Sequence, residues 1–252
     1  MITITIMTMK VGSIIIMSDE QHWITLRSLL RQQSWLSPAF PIGAYSYSHG
    51  IEWAVESQHI RDRQSLIDWL EADLRYGSGR NDAIFFSQAW SAAIDEDHKR
   101  LFEIAELAAA YRGTSEFALE SSQQATACLG TLRVVWPDRL LDWLSYTLSE
   151  RDISPSLSVV LGARSARQGI ASGLALAAFL QSYLANLVTA GVRLIPLGQT
   201  DGQLAIAELE ETVMAATAHL SECTIDDLGS AAFMVDLASI SHETQYTRLF
   251  RS

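Results

Sequence analysis

The amino-acid sequence predicts an all-α fold: a single-domain helical bundle of about nine or ten helices with a C-terminal docking tail. Fourteen glycines and five prolines in 252 residues make up about 8% of the chain, against roughly 12% in average proteins. The prolines are concentrated at a few breaks, and apolar residues recur at helical spacing between those breaks. Long unbroken segments joined by short connections are typical of a helical bundle.

Residues 1–17 are set apart from this bundle as a leader. Apolar and polar residues alternate from Ile2 to Ile6, as in a short strand, while internal methionines leave an appended leader open. The segment does not match a secretory signal, because Lys10 is its only basic residue and no small-residue cleavage site follows. The predicted division is a leader over 1–17, a helical domain over 18–224 and a partner-binding tail over 225–252.

The first three helices are indicated by apolar spacing and by the residues that interrupt it. A helix is expected over about 22–33, and Pro38 and Pro41 end it, because each proline fixes its own φ and disfavours helical backbone in the preceding residue. After this stiff loop a second helix is expected over 45–56. Asp62 is a suitable N-cap for the third helix, and Gly77 is a suitable end for it.

The remaining helices follow the same signals. Helices are expected at about 81–94, 98–112, 115–134 and 138–150, and another begins at Pro155 and ends near Gly169. Two long helices over 171–193 and 203–220 and a short one over 233–240 complete the set. Glycines at 162, 169 and 173 indicate close approach of helix backbones. The most apolar stretch, 174–188, is interrupted by polar residues, which indicates a buried core helix rather than a membrane span.

Charge and cysteine content restrict the partners and the compartment. Eighteen basic and 29 acidic residues give a formal net charge of −11, so such a surface gains little from releasing the counterions of a nucleic acid. Cys128 and Cys223 lie far apart and outside any Cys-x-x-Cys spacing, which favours a reducing compartment. We therefore expect a cytoplasmic protein that binds neither nucleic acid nor membrane.

Motifs for catalysis or cofactor binding are not found in the sequence. The segment Gly198–Gly202 lacks the lysine of a nucleotide phosphate loop, and no Gly-x-Ser-x-Gly elbow is present. Glu56 and His59 have the Glu-x-x-His spacing of di-metal bundles, but their only counterpart, Asp95 and His98, lies in a polar run. We expect no enzyme activity, no cofactor and no metal ligands. A di-metal enzyme is the alternative that elemental analysis would reveal.

Three stretches of the sequence resemble the UreF family of urease accessory proteins. Residues 36–52, LSPAFPIGAYSYSHGIE, are similar to the family's proline-glycine loop and the Ser-rich helix that follows. Residues 195–203, IPLGQTDGQ, are similar to its interhelical segment, and residues 242–252, HETQYTRLFRS, to its C-terminal signature. The middle segment 116–130 departs from the pattern, because Ala127 and Cys128 stand where many relatives carry Met-Gly.

The resemblance implies an all-α protein that forms a homodimer and binds other urease accessory proteins. The implied partners are the accessory protein UreD, called UreH in some organisms, the GTPase UreG and apo-urease. The assembly would help to load nickel into apo-urease, and the phosphate chemistry would belong to the GTPase. A generic helical scaffold with unrelated partners shares the same composition and remains the alternative.

Two of the three stretches are expected to carry partner-binding side chains. In the tail, one hypothesis is that aromatic, apolar and basic residues order on the UreD-type partner: Tyr246, Arg248, Leu249, Phe250 and Arg251. The alternative is that Leu249 and Phe250 fold back onto the core. In the first stretch, exposed side chains on a stiff loop are expected to form a recognition face for the GTPase: Tyr45, Tyr47, His49 and Glu52.

The third stretch is expected to have mainly a capping role. Gln199, Asp201 and Gly202 are predicted to cap the helix that follows them, and lining an interface or a metal passage is the further possibility. For the first stretch, the structural alternative is that Pro38, Pro41 and Gly43 act as a clamp at the start of the domain.

Overall fold

A computed structural model describes residues 19–252, with side chains described from residue 25 onward. Within that range the chain forms twelve α-helices, two short 3-10 turns and no strand, which confirms the predicted all-α class. The proposed leader, residues 1–17, lies outside the described residues. The α-helices are α1 Asp19–Trp35, α2 Ile51–Glu56, α3 Arg63–Tyr76, α4 Ser78–Ile94, α5 His98–Ala110, α6 Ser115–Val135, α7 Arg139–Glu150, α8 Leu157–Arg167, α9 Ser172–Leu194, α10 Gln199–Glu208, α11 Glu210–Leu220 and α12 Phe233–His242.

The helix predicted over 45–56 was wrong in its first half. A 3-10 turn, Ala44–Ser46, is followed by extended backbone at Tyr47, and α2 begins only at Ile51. His49 and Gly50 have φ values of 57° and 78°, in the left-handed region that ends helices. The helix predicted over 203–220 is instead two helices, α10 and α11, and the first of them starts four residues early, at Gln199.

The third helix has the caps that the sequence predicts. The Asp62 carboxylate accepts a hydrogen bond from the Ser65 amide at 2.8 Å, and the Ser65 hydroxyl oxygen accepts one from the Asp62 amide at 3.1 Å. This reciprocal arrangement satisfies backbone donors that the first turn leaves without helical partners. Gly77 ends α3 and also precedes α4, so the two helices are joined without a loop.

The core is built around α4, which packs most closely against α8. A Cβ atom on Gly162 of α8 would lie 2.3 Å from the Phe86 carbonyl oxygen of α4, so only glycine permits this crossing. Phe86 also stacks on Phe179 of α9, with ring centroids 4.9 Å apart. The predicted close approach is therefore confirmed at Gly162, but it was wrong at Gly169 and Gly173, which face open space.

Helix α9 is the one helix of residues 19–252 that is long and apolar enough, by length and composition alone, to cross a membrane. Half of its most apolar 18-residue window is buried against other parts of the fold. Its Leu176, Leu180 and Leu184 belong to the main hydrophobic core. In this fold the helix is a packing element, as its interrupting polar residues predict.

The last described segment returns to the start of the domain. After α11 and a 3-10 turn, Ile225–Asp227, helix α12 packs against α2 and α6. A Cβ atom on Gly50 would lie 2.9 Å from the Ser239 amide nitrogen, so the glycine before α2 allows α12 to approach closely. Residues 243–252, called the terminal segment below, then run along the loop that precedes α2.

Candidate protein-docking site

The terminal segment is bound through its backbone to the first stretch, residues 36–52. The Arg251 amide donates to the Ser46 carbonyl oxygen at 2.8 Å, and the Ser48 amide donates to the Ser252 carbonyl oxygen at 2.6 Å. The Ser48 hydroxyl donates to the same Ser252 oxygen at 2.7 Å. The first stretch and the C-terminal stretch, which were predicted to be separate docking elements, thus form one structural unit.

Glu52 fixes the path of this segment from beneath. Its carboxylate accepts hydrogen bonds from two consecutive backbone amides, Leu249 at 2.6 Å and Phe250 at 2.9 Å. The same carboxylate faces Nε2 of His242 at 3.0 Å. Glu52 is buried, so these hydrogen bonds replace the water that an ionised carboxylate would otherwise require.

His242 connects Glu52 to a second buried glutamate. Its ring is completely buried, and its Nδ1 lies 2.8 Å from Oε2 of Glu116. Arg248 donates to Oε1 of Glu116 at 2.8 Å and to the His242 carbonyl oxygen at 3.3 Å. The cluster of Glu52, Glu116, His242 and Arg248, called the tail clamp below, therefore joins α2, α6, α12 and the terminal segment.

The side chains of the clamp are complementary hydrogen-bond donors and acceptors. The two carboxylates receive backbone and guanidinium N–H groups, which are bonds that ionised carboxylates accept. Each ring nitrogen of His242 faces a carboxylate oxygen, Nδ1 that of Glu116 at 2.8 Å and Nε2 that of Glu52 at 3.0 Å. Exposed Arg248 forms an ion pair with buried Glu116, which lowers the cost of burying that carboxylate.

A second histidine cluster lies beneath the same loop, around His49. Nδ1 of His49 is 3.1 Å from Oε2 of Glu120, and Nε2 is 2.6 Å from the Ser78 hydroxyl. Burial alone would lower the pKa of His49, but the charge and hydrogen bond of Glu120, with more distant carboxylates, outweigh burial and raise it. The His49 ring also stacks on Phe117, with centroids 4.0 Å apart.

The order Ser78, His49, Glu120 resembles a nucleophilic triad, but its hydrogen bonds run in the opposite direction. The Ser78 hydroxyl donates to the Asp73 carboxylate at 2.9 Å, so its oxygen accepts from Nε2 of His49. A histidine that donates through both nitrogens has no lone pair with which to remove the serine proton. The arrangement holds charges in place and does not activate Ser78.

Glu120 connects this second cluster to the terminal segment. Its Oε2 accepts from the Ser252 hydroxyl at 3.1 Å, and its Oε1 accepts from the Gln124 side chain at 3.2 Å. The two histidine clusters therefore both end on residues 248–252. The sequence does not mark Glu116 or Glu120 of α6 as part of a site, because their histidine partners, His242 and His49, are distant in the chain and reach them only in the folded protein.

The exposed recognition face predicted for the GTPase is corrected by this geometry. Only Tyr45 is exposed, to 70%, whereas Tyr47, His49 and Glu52 are buried because the terminal segment and α12 cover them. The Tyr47 hydroxyl donates to Gln123 at 2.6 Å, and burial raises the pKa of this phenol. Prediction from one stretch at a time misses this cover, which comes from residues about 200 positions later.

Of the side chains in the terminal segment that were predicted to bind a partner, one is buried and the others are exposed. Phe250 is only 4% exposed, and the Arg193 guanidinium lies over its ring, 4.3 Å from the centroid. Leu249 is 58% exposed, and Tyr246 is fully exposed. Folding back onto the domain therefore holds for Phe250 and not for Leu249. Arg248 and Arg251 are also exposed, and the Arg251 guanidinium lies 5.8 Å from the ring centroid of Tyr47.

The third stretch lies next to the other two. Asp201 accepts a hydrogen bond from the Gly198 amide at 3.3 Å and thereby caps α10, as predicted. Gly202 is buried, and a Cβ atom there would lie 2.8 Å from Val192, while Gln199 is exposed. A small cavity of about 50 Å³ between α9 and α10 is lined by Gln199, Gly202 and Arg193, among others.

Arg193 links this cavity to the loop and to the terminal segment. Its guanidinium donates to the Tyr45 carbonyl oxygen at 2.8 Å while it covers Phe250. Arg193 lies just outside the third stretch, and no motif in the sequence marks it as a site residue. We call the exposed side chains of this region the tail–loop surface: Tyr45, Arg193, Tyr246, Arg248, Leu249 and Arg251.

The tail–loop surface combines aromatic and apolar groups with three arginines on a chain whose net charge is −11. Aromatic and arginine side chains are those that contribute most at protein interfaces. Within residues 25–252, no group of three or more His, Cys, Asp or Glu side chains is placed to hold a metal ion. The geometry of this site is suited to protein docking.

A larger cavity of about 320 Å³ opens beside the His49 cluster, between α4, α5, α6 and α12. Its wall includes Ser78 and Phe117, which contact His49, and Arg112, whose guanidinium forms two hydrogen bonds with Asp82 at 2.9 and 3.1 Å. Asp236 also lines it, and burial raises the pKa of that carboxyl. The charge of Arg112 is thus already balanced by its own partner, Asp82.

Comparison with known proteins identifies relatives over most of the chain. A family model described as UreF matches residues 60–210. A protein of Rhodopseudomonas palustris strain BisB5 named urease accessory protein UreF is 45% identical over 225 residues, covering 89% of this chain and 91% of the relative. A protein of the same name from Granulibacter bethesdensis is 48% identical over 225 residues, covering 89% and 94%.

Proposed function

The chain belongs to the UreF family of urease accessory proteins, and on this premise we propose that it is a docking protein in the maturation of the urease nickel centre. In this role it bridges the UreD-type accessory protein, called UreH in some organisms, and the UreG-type GTPase. As a member of an accessory family it is not itself a catalytic enzyme. Nickel is the cargo of the assembly, and the cytoplasm is the proposed compartment.

The observation that supports this proposal most directly is the tail–loop surface. Its exposed Leu249, Tyr246 and Tyr45 offer apolar contact area, and its arginines offer directed hydrogen bonds to carboxylates of a partner. The surface rests on buried hydrogen bonds, so its side chains are held at little further entropic cost. We assign the UreD-type partner to this surface.

For the GTPase, the second copy of the chain and apo-urease, we propose a contact without assigning a complete binding surface. Of the loop residues that the sequence suggests for GTPase binding, Tyr45 is the one whose side chain is accessible. Exposed Gln199, on the adjacent α10, extends the accessible area. A homodimer and a contact with apo-urease complete the proposed assembly. A generic scaffold with unrelated partners is the competing function, and it predicts no response of urease to this chain.

Removal of residues 248–252 tests the assignment of the UreD-type partner. The shortened chain and the full chain are each co-expressed with that partner and purified through it. We expect the deletion to abolish co-purification while the far-UV circular dichroism keeps its helical signal, because every α-helix ends before residue 248. Retained co-purification would remove the tail–loop surface from the proposal, and a collapse of helicity would identify the segment as core.

Activation of apo-urease tests the accessory function itself. Purified apo-urease, the UreD-type protein, the GTPase, GTP and nickel are combined with and without this chain. We expect urease activity to rise substantially only in the complete mixture. Equal activation without the chain would contradict the accessory role, whichever surface binds the partner.

A further inference from the structure

We propose that the cavity between α4, α5, α6 and α12 is a binding site for a small organic cation of the alkylguanidinium class, with Asp236 as the anionic partner of the ligand. The site is separate from the tail–loop surface, because no side chain of that surface lines the cavity. The cavity therefore adds a ligand site to a protein whose proposed function is docking.

The cavity has the size and the ordered walls of a small-molecule site. Its volume of about 320 Å³ lies at the lower end of the range for ligand pockets, roughly 300–1,000 Å³. The segment before α12, which contributes Ser230 to the wall, is held on the neighbouring helices by its backbone. The Gly229 amide donates to Oδ1 of Asn81 at 3.1 Å, and the Ala231 amide donates to the Tyr76 carbonyl oxygen at 2.7 Å.

The wall of the cavity contains two charged side chains, Arg112 and Asp236, and only the first has a counter-ion. Arg112 forms an ion pair with Asp82 at 2.9 Å. His49, whose charge acts on Asp236 from a distance, pairs with Glu120 at 3.1 Å. Within residues 25–252, Asp236 forms no ion pair of its own. The paired groups cancel, so the wall attracts a positive charge at Asp236.

The Asp236 carboxyl has positions left for a ligand donor. The Ser230 hydroxyl donates to its Oδ2 at 3.2 Å, whereas an ionised carboxylate can accept about four hydrogen bonds. Its Oδ1 is turned toward Gly113, where a Cβ atom would lie 3.7 Å from the oxygen. Burial raises the pKa of this carboxyl, and a cation bound beside it would stabilise the ionised form.

The rest of the lining favours a guanidinium over an ammonium. Tyr111 and Phe117 contribute aromatic side chains to the wall, and Ala110 contributes an apolar one. A guanidinium can bind a carboxylate through two parallel N–H groups and pack its plane on an aromatic ring, whereas an ammonium is a strongly hydrated point charge. A short alkyl chain on the guanidinium would occupy the apolar part of the cavity.

The experiment compares a charged probe with a neutral probe of the same shape. N-butylguanidinium and N-butylurea are each titrated into the full-length, isotope-labelled chain, and amide NMR signals of residues 110–113 and 230–236 are followed. Asp236→Asn removes the charge of the carboxyl and keeps its size. Asp68→Asn is the matched control, because Asp68 is exposed on α3 and does not line the cavity.

We expect the unmodified chain to bind N-butylguanidinium at least about tenfold more tightly than N-butylurea, because hydrogen bonds to charged groups are the stronger ones. The amide signals of both wall segments should shift together during the titration. Asp236→Asn should lose the preference for the charged probe and keep its affinity for N-butylurea. Asp68→Asn should behave like the unmodified chain.

Three results would overturn the inference. Equal affinity of the unmodified chain for the two probes would show that the cavity does not select a cation. Undiminished binding of N-butylguanidinium to Asp236→Asn would place the cation elsewhere. Absence of any shift at probe concentrations that leave the protein folded would show that the cavity is not a ligand site.

A second variant decides the question if Asp236→Asn does not fold. Ala110→Met adds a flexible side chain at the exposed edge of the cavity and changes no charge. We expect this variant to exclude N-butylguanidinium, and retained binding would contradict the proposed site. Neither variant changes a residue of the tail–loop surface, so failure of the cation site leaves the docking function to its own tests.

Discussion

His49 is a histidine whose neighbours make it a charged structural group. It faces Glu120 through one ring nitrogen and a serine that donates to Asp73 through the other, and it packs between Phe117 and Tyr183. Its left-handed backbone turns the chain from the loop into α2. The residue therefore links the backbone path of the loop to the charge balance of the interior, which the sequence pattern around it does not indicate.

The raised pKa of His49 predicts a specific dependence of stability on pH. When the pKa in the folded state exceeds the unfolded value of about 6.5, the stabilisation is fully present below that pH and disappears as pH rises through the folded pKa. The free energy of unfolding should therefore decrease on the alkaline side of about pH 6.5, by about 1.4 kcal/mol for each unit of the increase in pKa. Urea denaturation at a series of pH values measures it.

The His49→Gln variant provides the control for this prediction. Glutamine keeps a donor for Glu120 but has no charge that titrates, so this part of the pH dependence should be missing. We expect the variant to be less stable by about 1–3 kcal/mol at acidic pH, because buried Glu120 loses its cation. If both proteins show the same dependence of unfolding free energy on pH, His49 is not the group responsible.

At the scale of elements, local signals in the sequence predict where most helices begin and end. The Asp62 cap and the Gly77 end are confirmed to the residue, because both act through backbone groups within one turn. The helix predicted over 45–56 was wrong because His49 has a positive φ, which few non-glycine residues adopt and which is stabilised here by tertiary contacts. Helix propensity depends on neighbouring residues in the sequence, so it cannot predict those tertiary contacts.

The crossing of α4 and α8 predicts opposite effects of alanine at two helical glycines. Gly162→Ala would place a Cβ atom 2.3 Å from the Phe86 carbonyl oxygen, so the helices must move apart. We expect a loss of about 1–3 kcal/mol, as for other overpacked cores. Gly130→Ala, on an exposed face of α6 with nothing within 4 Å, should stabilise the protein by up to about 1 kcal/mol.

Thermal or urea denaturation of both glycine variants measures these differences directly. The two substitutions add the same methyl group within a helix, so any difference in sign reflects what the methyl group meets. A destabilised Gly130→Ala together with an unaffected Gly162→Ala would contradict the packing described for α4 and α8.

At the scale of the whole molecule, the docking site results from contacts between distant parts of the chain. Resemblance to the UreF family identifies the loop, the third stretch and the terminal segment, and the fold brings all three to Arg193. The burial of Tyr47, His49 and Glu52 by the terminal segment is not predictable from the sequence, because the apolar and charged residues of that segment do not reveal which surface they cover. Only the tertiary structure distinguishes the exposed residues of a motif from the buried ones.

This whole-molecule view predicts that Leu249 contributes to partner binding and not to folding. Leu249→Gln keeps the size of an exposed side chain and the backbone amide that Glu52 holds, so the unfolding free energy should change by less than about 0.5 kcal/mol. Loss of an apolar contact at the centre of an interface typically costs more than 1 kcal/mol, so affinity for the UreD-type partner should fall about tenfold. Titration calorimetry with the purified partner measures the change.

Leu174→Gln is the matched control, because Leu174 is 64% exposed and Leu249 is 58% exposed. Leu174 lies in the first turn of α9, roughly 30 Å along the helix from Arg193 in its last turn, and so lies away from the tail–loop surface. It should bind the partner with unchanged affinity and support the same activation of apo-urease. If the two variants lose affinity equally, the interface extends over the whole length of α9 or lies elsewhere, and the terminal segment does not determine it.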